Sequence, residues 1–219
     1  MAFYKENHMQ KKLKNIVFDL GGVLVGLDKQ RCVDAFYKSG LDDIAYYVDE
    51  FRTEDLFHEL EIGNIDTHEF CNEVRKITKR DIGDDIICWA WNQLLTDIKQ
   101  DKIKKLIELS EHYRLFLLSN TNPIHWKKCL EDLFPYDGYG VCDYFEHTFL
   151  SYQMHVVKPC DEIFEVMMER GRMNPEETLF LDDSKANCDA AAQLKIKTYN
   201  VVANSDWTAY IDKILDRYE

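Results

Sequence analysis

The chain has no C-x-x-C pair, no H-x-x-x-H spacing and no long apolar run. Its seven cysteines (Cys32, Cys71, Cys88, Cys129, Cys142, Cys160, Cys188) are scattered and odd in number. That argues against a disulfide framework or a zinc site and favours a reducing, cytoplasmic setting. No stretch approaches the ~20 apolar residues that a membrane span needs. The first fifteen residues are polar and lysine-rich, unlike a secretory signal, and residues 1–14 read as a flexible leader. Basic charge is also scarce: 27 Lys and Arg face 40 Asp and Glu, for a net charge of −13. Nucleic-acid backbones call for clustered positive charge, so neither nucleic acid nor membrane is an expected partner. No repeat or low-complexity tract is visible, and the oligomeric state is open.

Enough is present for a packed core. The 219 residues are 46% hydrophobic, with four Trp, twelve Tyr and twelve Phe. That suits one generous domain or a domain with a lobe. Three short apolar runs each stop at small polar or acidic residues: Ile16–Phe18 at Asp19, Leu115–Leu118 at Ser119-Asn120, and Leu179–Leu181 at Asp182-Asp183. Such runs read as buried strands. Tyr144–Leu150 and Lys197–Val202 are further candidates, and Val23–Leu27 reads as a short hairpin returning over the site. Helical spacing marks 103–107, 123–133, 185–194 and 207–215, with an irregular loop over 134–143. Pro159 suits the first turn of another helix. The alternation predicts an α/β fold with a parallel sheet covered by helices on both faces. Between about Lys29 and Thr96 the pattern is helical throughout, with Asp66 and Glu69 spaced as a capping box.

In an open parallel sheet the carboxyl ends of the strands share the edge where sites form. Asp19, Ser119, Lys158 and the Asp182-Asp183 pair would then converge there. Taken singly, each has a plain alternative: Asp19 as a turn former, Ser119 as a cap, Lys158 as a surface group, the Asp pair as a helix N-terminus. Taken together, three carboxylates need a cation, and Mg²⁺ favours oxygen ligands. Asn187, one helical turn beyond Asp183, can tie the pair down.

In this order the segments resemble the haloacid dehalogenase superfamily, in its sugar-phosphatase-like branch. The matching segments are Phe18-Asp19-Leu20-Gly21-Gly22-Val23-Leu24, Leu118-Ser119-Asn120, Lys158-Pro159 and Asp182-Asp183-Ser184-Lys185-Ala186-Asn187. The resemblance runs from about residue 14 to the end. It implies a Rossmann-like core from 1–27 and 97–219, and a small α-helical cap from 28–96. It implies Asp19 as nucleophile, Ser119, Asn120 and Lys158 on the substrate phosphate, and Mg²⁺ on Asp19, the Gly21 carbonyl and Asp183, with Asp182 as a ligand or its support. The implied activity is hydrolysis of a small phosphorylated metabolite, such as a sugar phosphate, through an aspartyl phosphate. Two alternatives stay open: 2-haloacid dehalogenation by the same nucleophile, and a phosphoryl-ligand-binding protein with weakened catalysis.

The pattern departs from the family in one place. Its phosphatases usually carry an acid/base Asp two residues after the nucleophile, and here that residue is Gly21. Asp28 lies downstream, with helix capping as its alternative role. Cys160 reads as a buried, inert thiol. Arg52, His58 and Trp89 are polar or aromatic groups of the helical segment, with packing or exposure as the plainer reading of each.

Overall fold

The structure, a computed structural model, describes residues 12–49 and 56–218. Most of the expected leader, and Arg52, lie outside these residues. Two residues of that expected leader belong to the fold, however: Leu13 is buried in the core, and the Lys14 amide donates to Glu177 O at 2.9 Å.

Five parallel strands form the sheet: β1 (Asn15–Phe18), β2 (Arg114–Ser119), β3 (His147–Leu150), β4 (Thr178–Asp182) and β5 (Lys197–Asn200), in the order β3-β2-β1-β4-β5. Side chains alternate across a strand, so each apolar run feeds two cores. Ile16, Phe18, Leu115, Leu117, Leu179 and Leu181 enter one cluster, with Leu106, Trp207 and Ile211. Val17, Phe116, Leu118 and Phe180 enter the other, with Ile163, Phe164, Met167 and Ala191. Both faces are therefore covered, which is why the strands read as continuous apolar runs rather than alternating ones.

The helices number twelve among the described residues: α1 (Lys29–Lys38), α2 (Asp42–Asp49), α3 (Leu56–Glu61), α4 (Thr67–Thr78), α5 (Asp84–Asn92), α6 (Gln100–Ser110), α7 (Pro123–Lys128), α8 (Val141–Tyr144), α9 (Ser151–Met154), α10 (Asp161–Arg170), α11 (Lys185–Gln193) and α12 (Ile211–Leu215). Helices α1–α5 bury their apolar faces in a further cluster, around Phe36, Phe57, Phe70 and Trp91, which Ile124 of α7 joins. The rings of Phe57 and Trp91 are 4.5 Å apart. The Asp66–Glu69 capping box forms: Glu69 N donates to Asp66 Oδ1 at 2.8 Å, and Asp66 N donates to Glu69 Oε2 at 2.9 Å. The two chain segments joining this unit to the sheet run side by side. Gly26 N donates to Asp97 O, Thr96 N to Gly26 O, and Asp28 N to Leu94 O.

Several local expectations are corrected. Val23–Leu27 forms no hairpin ladder but a tight turn, in which Leu24 N and Val25 N both donate to Leu20 O. The helix expected over 123–133 leaves α-geometry at Cys129 and finishes as a π-helical turn, Cys129–Leu133. The loop over 134–143 runs into the helical turn α8, and β3 starts only at His147. Pro159 lies before α10 rather than in its first turn, because Cys160 is the N-cap. The terminal segment splits into a 3₁₀ turn, Trp207–Ala209, and α12.

Candidate active site

β1 is the switch point of the sheet: the chain leaves it for β2 on one side and reaches β4 on the other. Phe18 is in register with Leu117 and Leu181. One step further, Asp19 emerges beside Asp182, and its amide donates to Leu181 O at 2.9 Å. The next residues must turn sharply. Gly22 has φ +74, and a Cβ there would stand 2.3 Å from Asp183 Oδ2. A side chain at position 22 would therefore collide with the carboxylate that the turn admits.

Lys158 joins the strand ends. Its Nζ donates to Asp19 Oδ1 at 2.7 Å, to Asp182 Oδ2 at 2.7 Å and to Leu118 O at 3.0 Å. An ammonium has three protons, and all three are used. The residue is 4% exposed, so the charge is held in the interior. Its backbone is clasped as well: Asn120 Nδ2 donates to Lys158 O at 2.9 Å, and Lys158 N donates to Asn120 Oδ1 at 2.8 Å. The peptide between Lys158 and Pro159 is cis.

The two adjacent carboxylates are unlike. Asp182 is wholly buried and saturated: Asn187 Nδ2 reaches both its oxygens at 3.0 and 3.1 Å, and Ser184 N donates to Oδ1 at 2.7 Å. Asp183 is half-buried, and the Asn200 amide holds its backbone carbonyl at 2.9 Å. One oxygen each from Asp19, Asp182 and Asp183 lies within 4.8 Å of the others.

Three carboxylates around one ammonium leave an excess of negative charge. Burial pushes the Asp19 carboxyl up to about 7; Lys158 opposes that shift and Asp182 adds to it. Burial, then the charge of Asp182, raises Asp183. Burial works against the Lys158 ammonium, but Asp19 and Asp182 outweigh it and hold its pKa above the ordinary value. A divalent cation among hard oxygen donors would relieve this excess, so the residues present fit Mg²⁺.

Ser119 ends β2 and is buried, with its hydroxyl 3.3 Å from Asn120 O. The Asn120 side chain is engaged by Lys158, which gives it a positioning role that the sequence did not suggest. Asp28 is committed elsewhere: it caps α1, accepting from Arg31 N at 2.9 Å. Cys160 is exposed, which corrects the reading of a buried thiol. Trp89 is half exposed, in a cleft with Asp84, Lys127 and Glu131, and that cleft contains none of the site carboxylates. His58 is half-buried on α3.

The family model for haloacid dehalogenase-like hydrolases matches residues 13–195. A D-ribitol-5-phosphate phosphatase of Bacteroides thetaiotaomicron is 33% identical over 93% of this chain and 99% of its own length. A HAD-family enzyme of the same organism, solved with magnesium and inorganic phosphate, is 42% identical, with a TM-score of 0.86 over 90% of this chain and 98% of that one. A HAD-like hydrolase of Porphyromonas gingivalis is 34% identical, with a TM-score of 0.86 over 94% of this chain and 98% of that one.

Proposed function

The chain belongs to the haloacid dehalogenase-like hydrolases, and from that premise we propose that it is a Mg²⁺-dependent phosphatase of a small phosphorylated sugar or polyol. The observation that carries this reading is the gathering of Asp19, Lys158, Asp182 and Asp183 at the switch point of the sheet. The phosphatase activity named for one relative, and the magnesium and phosphate held by another, support it.

Asp19 is the nucleophile. Its position is fixed by the β1–β4 pairing and by Lys158, so attack on phosphorus needs no further ordering. The Lys158 charge, with its three protons already engaged, acts on the phosphoryl oxygens through space, and the Ser119 hydroxyl donates to them as their charge spreads in the transition state. Asp182 holds Lys158 and Asn187 in place; with both its oxygens engaged, it serves better as support than as a ligand. Asp19, Asp183 and the Gly21 carbonyl would hold Mg²⁺, which when bound neutralises charge on the transferring group. The asparaginyl side chain at 120 aligns Lys158 rather than touching the phosphate. Water completes the reaction by releasing phosphate from Asp19.

Residues 28–96 act as a cap that closes over the substrate and excludes water. Their apolar cluster, to which Ile124 of α7 adds, and their paired connecting segments support that role. Free cysteines support a reducing, cytoplasmic setting, and the acidic balance supports a small-molecule rather than a nucleic-acid partner. No helix among the described residues is long and apolar enough to cross a membrane.

The test is hydrolysis of p-nitrophenyl phosphate and D-ribitol 5-phosphate with Mg²⁺, repeated after chelation and with Asp19→Asn. Turnover lost in both repeats is expected. Chelator-insensitive halide release from a 2-haloacid, or tight phosphate binding without turnover, would overturn the reading.

A further inference from the structure

The reaction lacks an acid. An alkoxide is a poor leaving group and needs a proton as the P–O bond breaks, yet the residue two places after the nucleophile is Gly21, and Asp28 is spent on capping α1. Any replacement must come from another element that reaches the same space.

Among the described residues, Glu61 is a carboxyl group placed to meet that condition. Glu61 is the last residue of α3, in the helical unit. The turn that follows it is pinned to the sheet domain. His155 Nδ1 donates to Ile62 O at 2.8 Å, and Gly63, with φ +70, approaches so closely that a Cβ would lie 2.1 Å from Tyr152 O. His155 is three residues before Lys158, so this contact sets the end of α3 beside the segment that delivers the ammonium. The charge of Lys158 reaches the Glu61 carboxyl, which is half-buried. No described residue gives that carboxyl a hydrogen bond or an ion pair. The influence of the Lys158 charge puts this carboxyl at the side of the helical unit that faces the site.

We propose that Glu61 is the general acid and base of the reaction, supplied by the helical unit in place of the carboxylate absent at Gly21; this rests on the phosphatase reading above. As the bond from an Asp19 oxygen to phosphorus forms and the ester P–O bond breaks, the ester oxygen takes the Glu61 proton and leaves as the alcohol. Glu61, now a carboxylate, takes a proton from the water whose oxygen attacks phosphorus. The Asp19–phosphoryl bond then breaks, and both residues return to their starting forms. Burial supports the assignment, because it pushes the Glu61 carboxyl up to about 7 and so keeps a protonated fraction at neutral pH.

The leaving group provides the test. A nitrophenolate departs without a proton, whereas the ribitol alkoxide does not. In Glu61→Gln, kcat/KM, which reports formation of the aspartyl phosphate and departure of the alcohol, should fall by ~10²–10⁴-fold on D-ribitol 5-phosphate and stay within about 10-fold of the wild type on p-nitrophenyl phosphate. The retained second activity also shows that the variant is folded. An equal fall in kcat/KM on both esters, or an unchanged kcat/KM on both, would overturn the role of Glu61 as the acid while leaving the phosphatase reading in place. A wild-type enzyme that hydrolyses neither ester would overturn both.

Discussion

Asn120 and Lys158 are joined by a reciprocal pair of hydrogen bonds: the asparagine amide donates to the lysine carbonyl, and the lysine amide donates back to the asparagine carbonyl oxygen. The strand end of β2 therefore sets where the lysine backbone stands, and so where its ammonium meets Asp19 and Asp182. A misplacement of about 1 Å in such a constellation costs on the order of 10²-fold in rate. Asn120→Ala should lower kcat on p-nitrophenyl phosphate by ~10–100-fold and leave the Mg²⁺ midpoint for activation within about 3-fold of the wild type. A wild-type kcat in this variant would show that Lys158 is placed by its ion pairs alone.

Those ion pairs carry their own consequence. Lys158 is surrounded by two carboxylates in the interior, and removing the ammonium leaves both uncompensated. Breaking a buried pair from one side costs about 3–5 kcal/mol. Lys158→Met should show that loss in urea denaturation without metal, together with loss of turnover. Adding Asp182→Asn should recover part of the stability but none of the activity. A Lys158→Met protein as stable as the wild type would mean that the carboxylates already share protons without help from the lysine.

Cation binding should stabilise the fold. With Asp19 and Asp183 both held above the ordinary carboxylate range, a bound Mg²⁺ removes a repulsion that the folded state otherwise bears. At about 100 times its dissociation constant, a ligand adds ~2.7 kcal/mol, or roughly 5–10 °C in Tm for a domain of this size. Scanning calorimetry with and without Mg²⁺ reads this directly. Asp183→Asn should abolish the shift, and a shift that persists in that variant would place the cation elsewhere.

What was legible in the sequence follows from where each residue stands. Asp19, Asp182 and Asp183 end apolar runs, and a run buried on both faces of a parallel sheet is visible as composition alone. Asn187 was legible because a helix returns to the same side after one turn. Asn120 was visible as a polar neighbour of Ser119, but its bond to Lys158 spans two separate crossovers and leaves no local pattern. Glu61 was hidden for the same reason: nothing in α3 tells which part of the sheet it faces. The burial expected of Cys160 failed because that residue caps α10 at the rim, where no periodicity constrains it. Leu13 was read into a lysine-rich leader, since a single apolar residue among charges gives no strand signal before the chain is seen to pair.

His125 offers a test of how the helical unit is held to the sheet domain. It is buried in α7, and its ring stacks on Trp91 of α5 at 4.6 Å. Asn122 Oδ1 accepts from the amides of Ile124 and His125, so Asn122 Nδ2 is the donor to His125 Nδ1. The proton of the neutral ring is then on Nε2, which donates to Trp91 O at 3.1 Å. Burial holds the pKa of this ring down to about 4, against the weaker opposing pull of the Trp91 carbonyl. The unfolded chain binds the proton near the ordinary value of ~6.5. Above that pH neither state is protonated and the residue costs nothing. As the pH falls from about 6.5 to 4, only the unfolded state gains the proton, and stability drops by roughly 3 kcal/mol at most. His125→Gln removes the titration. The difference in unfolding free energy between wild type and variant, measured by urea denaturation from pH 7.5 to 4.5, should therefore change steadily against the wild type as the pH falls. A difference that stays flat across that range would show that the folded ring takes up its proton as readily as the unfolded one, so that burial does not hold the imidazole neutral.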